Sequence, residues 1–158
     1  YVFVVVPQLY FEASEQAYIQ QITKSYVNRS GIPGEWSKPL DLATEIVPLN
    51  RPTNVLAGST FTGRVLSNGK PVAGAELEIE FMAAEPDLGA NQPKPAQNLK
   101  TVGGALSART NASGYFTFGI PRAGFWGFAA LGTGPKKSHQ GKSLSQDAVL
   151  WIRAYDLE

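Results

Sequence analysis

Six residues, Glu76-Leu-Glu-Ile-Glu-Phe81, restrict the fold more than any other stretch of this chain. Leu77, Ile79 and Phe81 fall on one face of an extended segment, and Glu76, Glu78 and Glu80 fall on the other. That period of two is the pattern of an antiparallel strand with one face on a core and one face in water. The apolar face needs a counterpart, and Phe116, Phe118 and Ile120, set opposite Tyr115 and Thr117, supply it. Turn formers precede both segments, Ser67-Asn-Gly69 in one case and Asn111-Ala-Ser-Gly114 in the other. Two sheets closing over one core follow from this, so the expected fold is all-β, a small antiparallel β-sandwich.

The rest of the chain fits around that core. Val2 to Val6 is a continuous apolar run ending at Pro7 and reads as a strand buried on both faces. Between Tyr10 and Val27 the apolar spacing suits an amphipathic helix, while the abundance of Tyr, Ile, Thr and Val suits a strand equally well. Ser30-Gly-Ile-Pro-Gly34 then interrupts the pattern. A domain boundary is expected near residue 40, leaving 1–39 as the tail of a truncated N-terminal β-domain with its linker and 40–158 as the sandwich. Further strands are expected at Ala43–Leu49, Thr60–Leu66 and Gly124–Leu131. Ala148 to Tyr155 is apolar on both faces through Val149, Leu150, Trp151 and Ile152, which calls for a central position. Polar stretches at 84–104, rich in proline, and at 132–145 read as long surface loops and as the first sites of proteolysis. The predicted core is Leu77, Ile79, Phe81, Phe116, Phe118, Trp126 and Trp151.

Composition narrows the function. With 14 basic and 13 acidic residues scattered along 158, the chain lacks the basic face of a nucleic-acid-binding domain. It has no cysteine, so thiol chemistry, disulfides and cysteine zinc sites are excluded. No apolar run reaches the roughly 18–20 residues of a membrane-spanning helix. Neither Gly103-Gly104 nor Gly132-Thr-Gly134 has the spacing of a phosphate loop. The chain opens in mid-strand at Tyr1, from which an upstream segment is expected.

A resemblance is carried by Glu45-Ile-Val-Pro-Leu49, Phe61-Thr-Gly-Arg-Val65, Asn68-Gly-Lys-Pro-Val-Ala-Gly-Ala75, Asn111-Ala-Ser-Gly-Tyr-Phe-Thr-Phe118, Pro121-Arg-Ala-Gly-Phe-Trp-Gly-Phe128 and Gln146-Asp-Ala-Val-Leu-Trp151. In this order, over residues 35 to 155, they resemble a family of exported bacterial proteins described as the periplasmic or substrate-specific components of nickel and cobalt uptake systems. The pair Gly-Lys-Pro-Val-Ala-Gly-Ala and Asn-Ala-Ser-Gly-Tyr-Phe-Thr-Phe is also similar to transthyretin-like and carboxypeptidase-regulatory-like sandwiches, which implies an immunoglobulin-like fold. The resemblance implies a periplasmic, non-enzymatic protein that presents loops to the metal or to a membrane permease, with nickel or cobalt engaged by the full-length protein. Full-length members tend to begin with a histidine-containing segment, which this chain lacks.

Chemistry-bearing residues are few. A hydrolytic triad needs a base, and His139 is the one histidine. It is also the candidate metal ligand, since imidazole suits nickel and cobalt, although one ligand is weak and Lys136, Lys137 and Lys142 flank it. The row Glu76, Glu78 and Glu80 could collect a divalent cation, but a solvated outer face accounts for it as well, and Glu85 and Asp87 are similarly ambiguous. Trp36, Trp126 and Trp151 could stack on sugar, although Trp126 and Trp151 sit in apolar strands and read as packing residues. The alternative function is therefore a structural or adhesive module that binds protein or glycan. An enzyme is disfavoured by this inventory.

Overall fold

The computed structural model describes residues 1–98 and 105–157. Among these it has strands and turns and no helix. In chain order the strands are β1 (Val2–Val5), β2 (Tyr10–Glu12), β3 (Ala17–Tyr26), β4 (Thr44–Pro48), β5 (Val55–Leu56), β6 (Thr60–Ser67), β7 (Lys70–Pro71) and β8 (Glu76–Phe81). They continue with β9 (Pro86–Asp87), β10 (Gln92–Pro93), β11 (Leu106–Arg109), β12 (Tyr115–Gly119), β13 (Gly124–Ala130), β14 (Ser138–His139) and β15 (Lys142–Tyr155).

The larger sheet runs β1-β3-β15-β13-β8-β11, with β2 beside β3, and β5 and β14 beside β15. The smaller runs β12-β6-β4, with β7 on β6. Their inner faces enclose one core, in which Ile46, Phe61, Val65 and Phe116 meet Leu77, Ile79, Trp126, Phe128, Leu150 and Ile152. The protein is an all-β sandwich. Its centre is aromatic: the Phe61 and Phe128 rings stack at 5.2 Å between centroids, with Phe116 5.5 Å from Phe128. Offset and tilted ring pairs of this kind add stabilisation beyond the area they bury. Gly63 permits this, because a Cβ there would lie 2.7 Å from the Phe116 ring.

Glu76–Phe81 behaves as its alternation requires, with Leu77 and Ile79 buried and Glu76 and Glu80 exposed. Phe81 and Phe118, expected in the core, are half-buried at its margin, where both pack against Trp126.

The open choice between helix and strand for Tyr10–Val27 resolves to strand. β3 pairs in parallel with β15 from Tyr18↔Leu144 to Ser25↔Trp151, a register that puts Ile22 beside Ala148. A helix would leave one edge of β15 unpaired, and the tertiary ladder overrides the helical spacing. The segment before residue 40 is thus hydrogen-bonded into the same sheet as the C-terminal strand, and the pairing departs there from a purely antiparallel pattern.

Two expectations are corrected. β1 was expected to be buried on both faces but is an edge strand whose four residues are all exposed, because it pairs with β3 alone among the described strands and contributes nothing to the core between the sheets. The loop expected over 132–145 is shorter, since β14 and the first residues of β15 form a hairpin there. Within the expected 84–104 loop, β9 and β10 make a small hairpin, and residues 99–104, including Gly103-Gly104, lie outside the described residues.

Candidate functional site

His139 sits at the end of β14, opposite Lys142 across the hairpin. Its ring stands edge-on to Tyr18 of β3, 4.7 Å between centroids, and Tyr18 in turn touches Phe11 at 5.3 Å. The Tyr18 hydroxyl donates to the Gln140 side chain at 2.8 Å, and the Lys142 ammonium lies 4.9 Å from the Phe11 ring centre. The imidazole is therefore one side of a small aromatic cluster that fastens the β14–β15 hairpin to β2 and β3. Among the described residues, no three side chains of His, Asp or Glu converge as a metal cage.

The three tryptophans do not form one platform. Trp126, at 3% exposure, faces the core and donates its indole N–H to the Arg122 carbonyl at 3.0 Å. Trp151 is half-buried on the opposite face, because Trp126 pairs with Ile152 while Gly127 pairs with Trp151, and neighbours along a strand alternate faces. Trp36 lies in a turn outside the strands. The core position expected for Trp151 is corrected accordingly. Its indole covers Gly127, where a Cβ would come within 2.8 Å of the ring.

That outer face holds a hollow. β13 contributes Gly127 and Ala129 as a floor almost without side chains. On one flank β15 raises Val149 and Trp151, and on the other β8 raises Glu80 opposite Gly127 and Glu78 opposite Ala129. The hollow measures about 140 Å³, with Gln21 of β3 also lining it. Glu76, next along the same strand face, pairs with Arg109 at 2.8 Å. Glu78 and Glu80 form no ion pair among the described residues. The acidic row was legible from the sequence. The missing signal was the wall opposite it, because only the strand order β15-β13-β8 brings Trp151 and Val149 across Gly127 and Ala129 from the carboxylates.

A second polar centre had no sequence signal at all. Lys24 of β3 and Glu45 of β4, each 1% exposed, form an ion pair at 2.7 Å, and the Leu40 backbone N–H donates to both carboxylate oxygens at 2.9 and 3.1 Å. Burial pushes the Lys24 ammonium below its usual pKa, against the opposing pull of the Glu45 carboxylate. Beside them Tyr26 has its phenol pushed up to about 12, by burial first and by the Glu45 charge second. The Tyr26 hydroxyl is buried and makes no hydrogen bond to the described protein. This pair crosses from the larger sheet to the smaller one and ties the N-terminal strand to the sandwich.

A family model described as "Domain of unknown function (DUF4198)" matches residues 1–134. The chain belongs to this family. The DUF4198 match runs from β1 through β13 and so passes over the boundary expected near residue 40. No curated protein matches this DUF4198 chain. Among solved structures it is similar to the ASH / PapD-like domain of human CEP192 (PapD-like domain 7), at 13% identity and a TM-score of 0.27, covering 84% of this chain and 99% of that one. Among the described residues no helix is long and apolar enough to cross a membrane.

Proposed function

We propose that the chain is a non-enzymatic, periplasmic component of a nickel or cobalt uptake system, working by presenting a binding surface to a membrane permease. The observation that carries this reading is where the motifs lie. Glu45–Pro48 falls on β4, Phe61–Val65 on β6, Tyr115–Phe118 on β12, Gly124–Phe128 on β13 and Gln146–Trp151 on β15. The resemblance to periplasmic uptake components therefore runs through five strands drawn from both sheets and is not confined to a shared turn. The ion is cargo in this reading. His139, engaged with Tyr18 and flanked by lysines, offers it one nitrogen, and a tight site for a borderline divalent ion needs three or four ligands.

Cells lacking the full-length protein are expected to accumulate less nickel at limiting external concentration, with recovery on re-expression. Unchanged accumulation would overturn the uptake role. For the chain itself, calorimetry with nickel at neutral pH is expected to reveal no site of micromolar affinity. A tight site abolished by His139→Ala would make the 136–142 hairpin the metal-binding element instead.

A second reading, an adhesive module that binds protein or glycan, is favoured by the hollow beneath Trp151 and Val149.

A further inference from the structure

The walls of the hollow along β13 differ in chemistry. Trp151 and Val149 make one wall apolar and aromatic, while Glu78 and Glu80 make the other anionic. Successive rows, Trp151-Gly127-Glu80 and Val149-Ala129-Glu78, are two residues apart along the strand, about 6–7 Å. The two flanking strands are separated by two inter-strand spacings, about 9–10 Å. The Trp151 indole already lies over Gly127, so the open part of the furrow is the strip above Ala129 and beside the ring, where one long side chain can lie with its stem on the indole and its head at the carboxylates.

We propose that this furrow receives an arginine side chain carried on an extended segment of a partner protein. The proposal rests on the reading of the chain as a non-catalytic binding module, and is independent of any metal. The argument is charge and shape together. A planar guanidinium stacks on an indole face while its N–H groups donate to carboxylates on its edge, which a compact ammonium does less well. Glu76, on the same strand face, is already engaged by Arg109, whereas Glu78 and Glu80 have no such partner among the described residues. Two carboxylates without an ion-pair partner among the described residues repel phosphate, so nucleic acid and anionic lipid headgroups do not fit. The whole chain has a net charge of +1, so the attraction is local to the furrow and not a property of the protein at large.

Fluorescence polarisation with a labelled hexa-arginine peptide tests this. Binding is expected at low ionic strength, weaker in physiological salt. It should fall by about tenfold or more in Glu78→Gln/Glu80→Gln and in Trp151→Ala, and be unchanged in Glu76→Gln. The double Gln variant keeps shape and removes charge at solvent-facing positions, so it reads out the furrow even if Trp151→Ala fails to fold. Equal affinity of the wild type and the double Gln variant for hexa-arginine would overturn the proposal. So would binding of a neutral oligosaccharide such as maltotetraose that depends on Trp151 and is indifferent to Glu78→Gln/Glu80→Gln, an outcome that assigns the surface to glycan. Nickel accumulation by cells carrying the double Gln variant in the full-length protein separates the two levels: peptide binding lost with uptake intact sinks the furrow's part in transport and leaves the module reading standing.

Discussion

β1 and the middle of β15 carry nearly the same local message and meet opposite fates. Val2-Phe-Val-Val5 and Ala148-Val-Leu-Trp-Ile152 are both unbroken apolar runs rich in strand formers. In β15, Ala148, Leu150 and Ile152 are sealed in the core, and even the outward Val149 is 8% exposed. In β1, Phe3 and Val5 are each more than half exposed. The difference is the number of neighbours: β15 lies between β3 and β13 and faces the second sheet, whereas β1 has β3 on one side and open edge on the other. An apolar strand is thus evidence that a segment will be extended, and its energetic weight comes from what is packed on it. An open apolar edge is also the feature that natural sheets most often cover or blunt.

The largest expected effect probes that contrast directly. Phe128→Ala removes the ring on which Phe61, Phe116 and Phe118 converge and should cost about 3–5 kcal/mol in chemical denaturation. Val4→Ala on β1 should stay within about 0.5 kcal/mol. Comparable losses at the two positions would mean that β1 is covered in solution and would break the comparison.

Next comes the link between the two regions. Lys24→Met strands the buried Glu45 carboxylate and should destabilise by on the order of 3 kcal/mol. Amide exchange should rise in β1 and β3 before the core strands respond, because the cross-sheet ion pair belongs to β3. Uniform exchange across the sheet would make the N-terminal strands part of the same cooperative unit as the core.

The smallest effect is at Tyr26. At neutral pH Tyr26→Phe should be neutral or slightly stabilising, since the hydroxyl it removes is buried without a partner. At alkaline pH the sign is set by linkage. The folded phenol holds its proton up to about 12, above the ordinary value of 10.0. Between those values the unfolded chain binds fewer protons, so stability falls as pH rises through the window. Lys24, with its lowered pKa, acts in the opposite direction as pH rises toward 10.5. Comparing wild type with Tyr26→Phe cancels the lysine contribution, and the alkaline loss should be smaller in the variant. Parallel pH profiles would mean that Tyr26 is not held back by its surroundings.

The sequence by itself determined what depends on geometry within one strand. The alternation of Glu76–Phe81 fixed which side chains of β8 face inward, and Phe61, Gly63 and Val65 followed the same rule in β6, because a period of two is a property of the extended backbone. It also made the carboxylate wall of the furrow readable. Only the tertiary structure decided what depends on neighbours far along the chain. Tyr10–Val27 became strand because β15 offered it a parallel edge. Trp151 left the core because its register with Gly127 put it on the outer face, and Lys24 found Glu45 21 residues away across two sheets. None of these carries a local signature, since pairing partner, edge or centre, and charge complement are settled by which strands become adjacent.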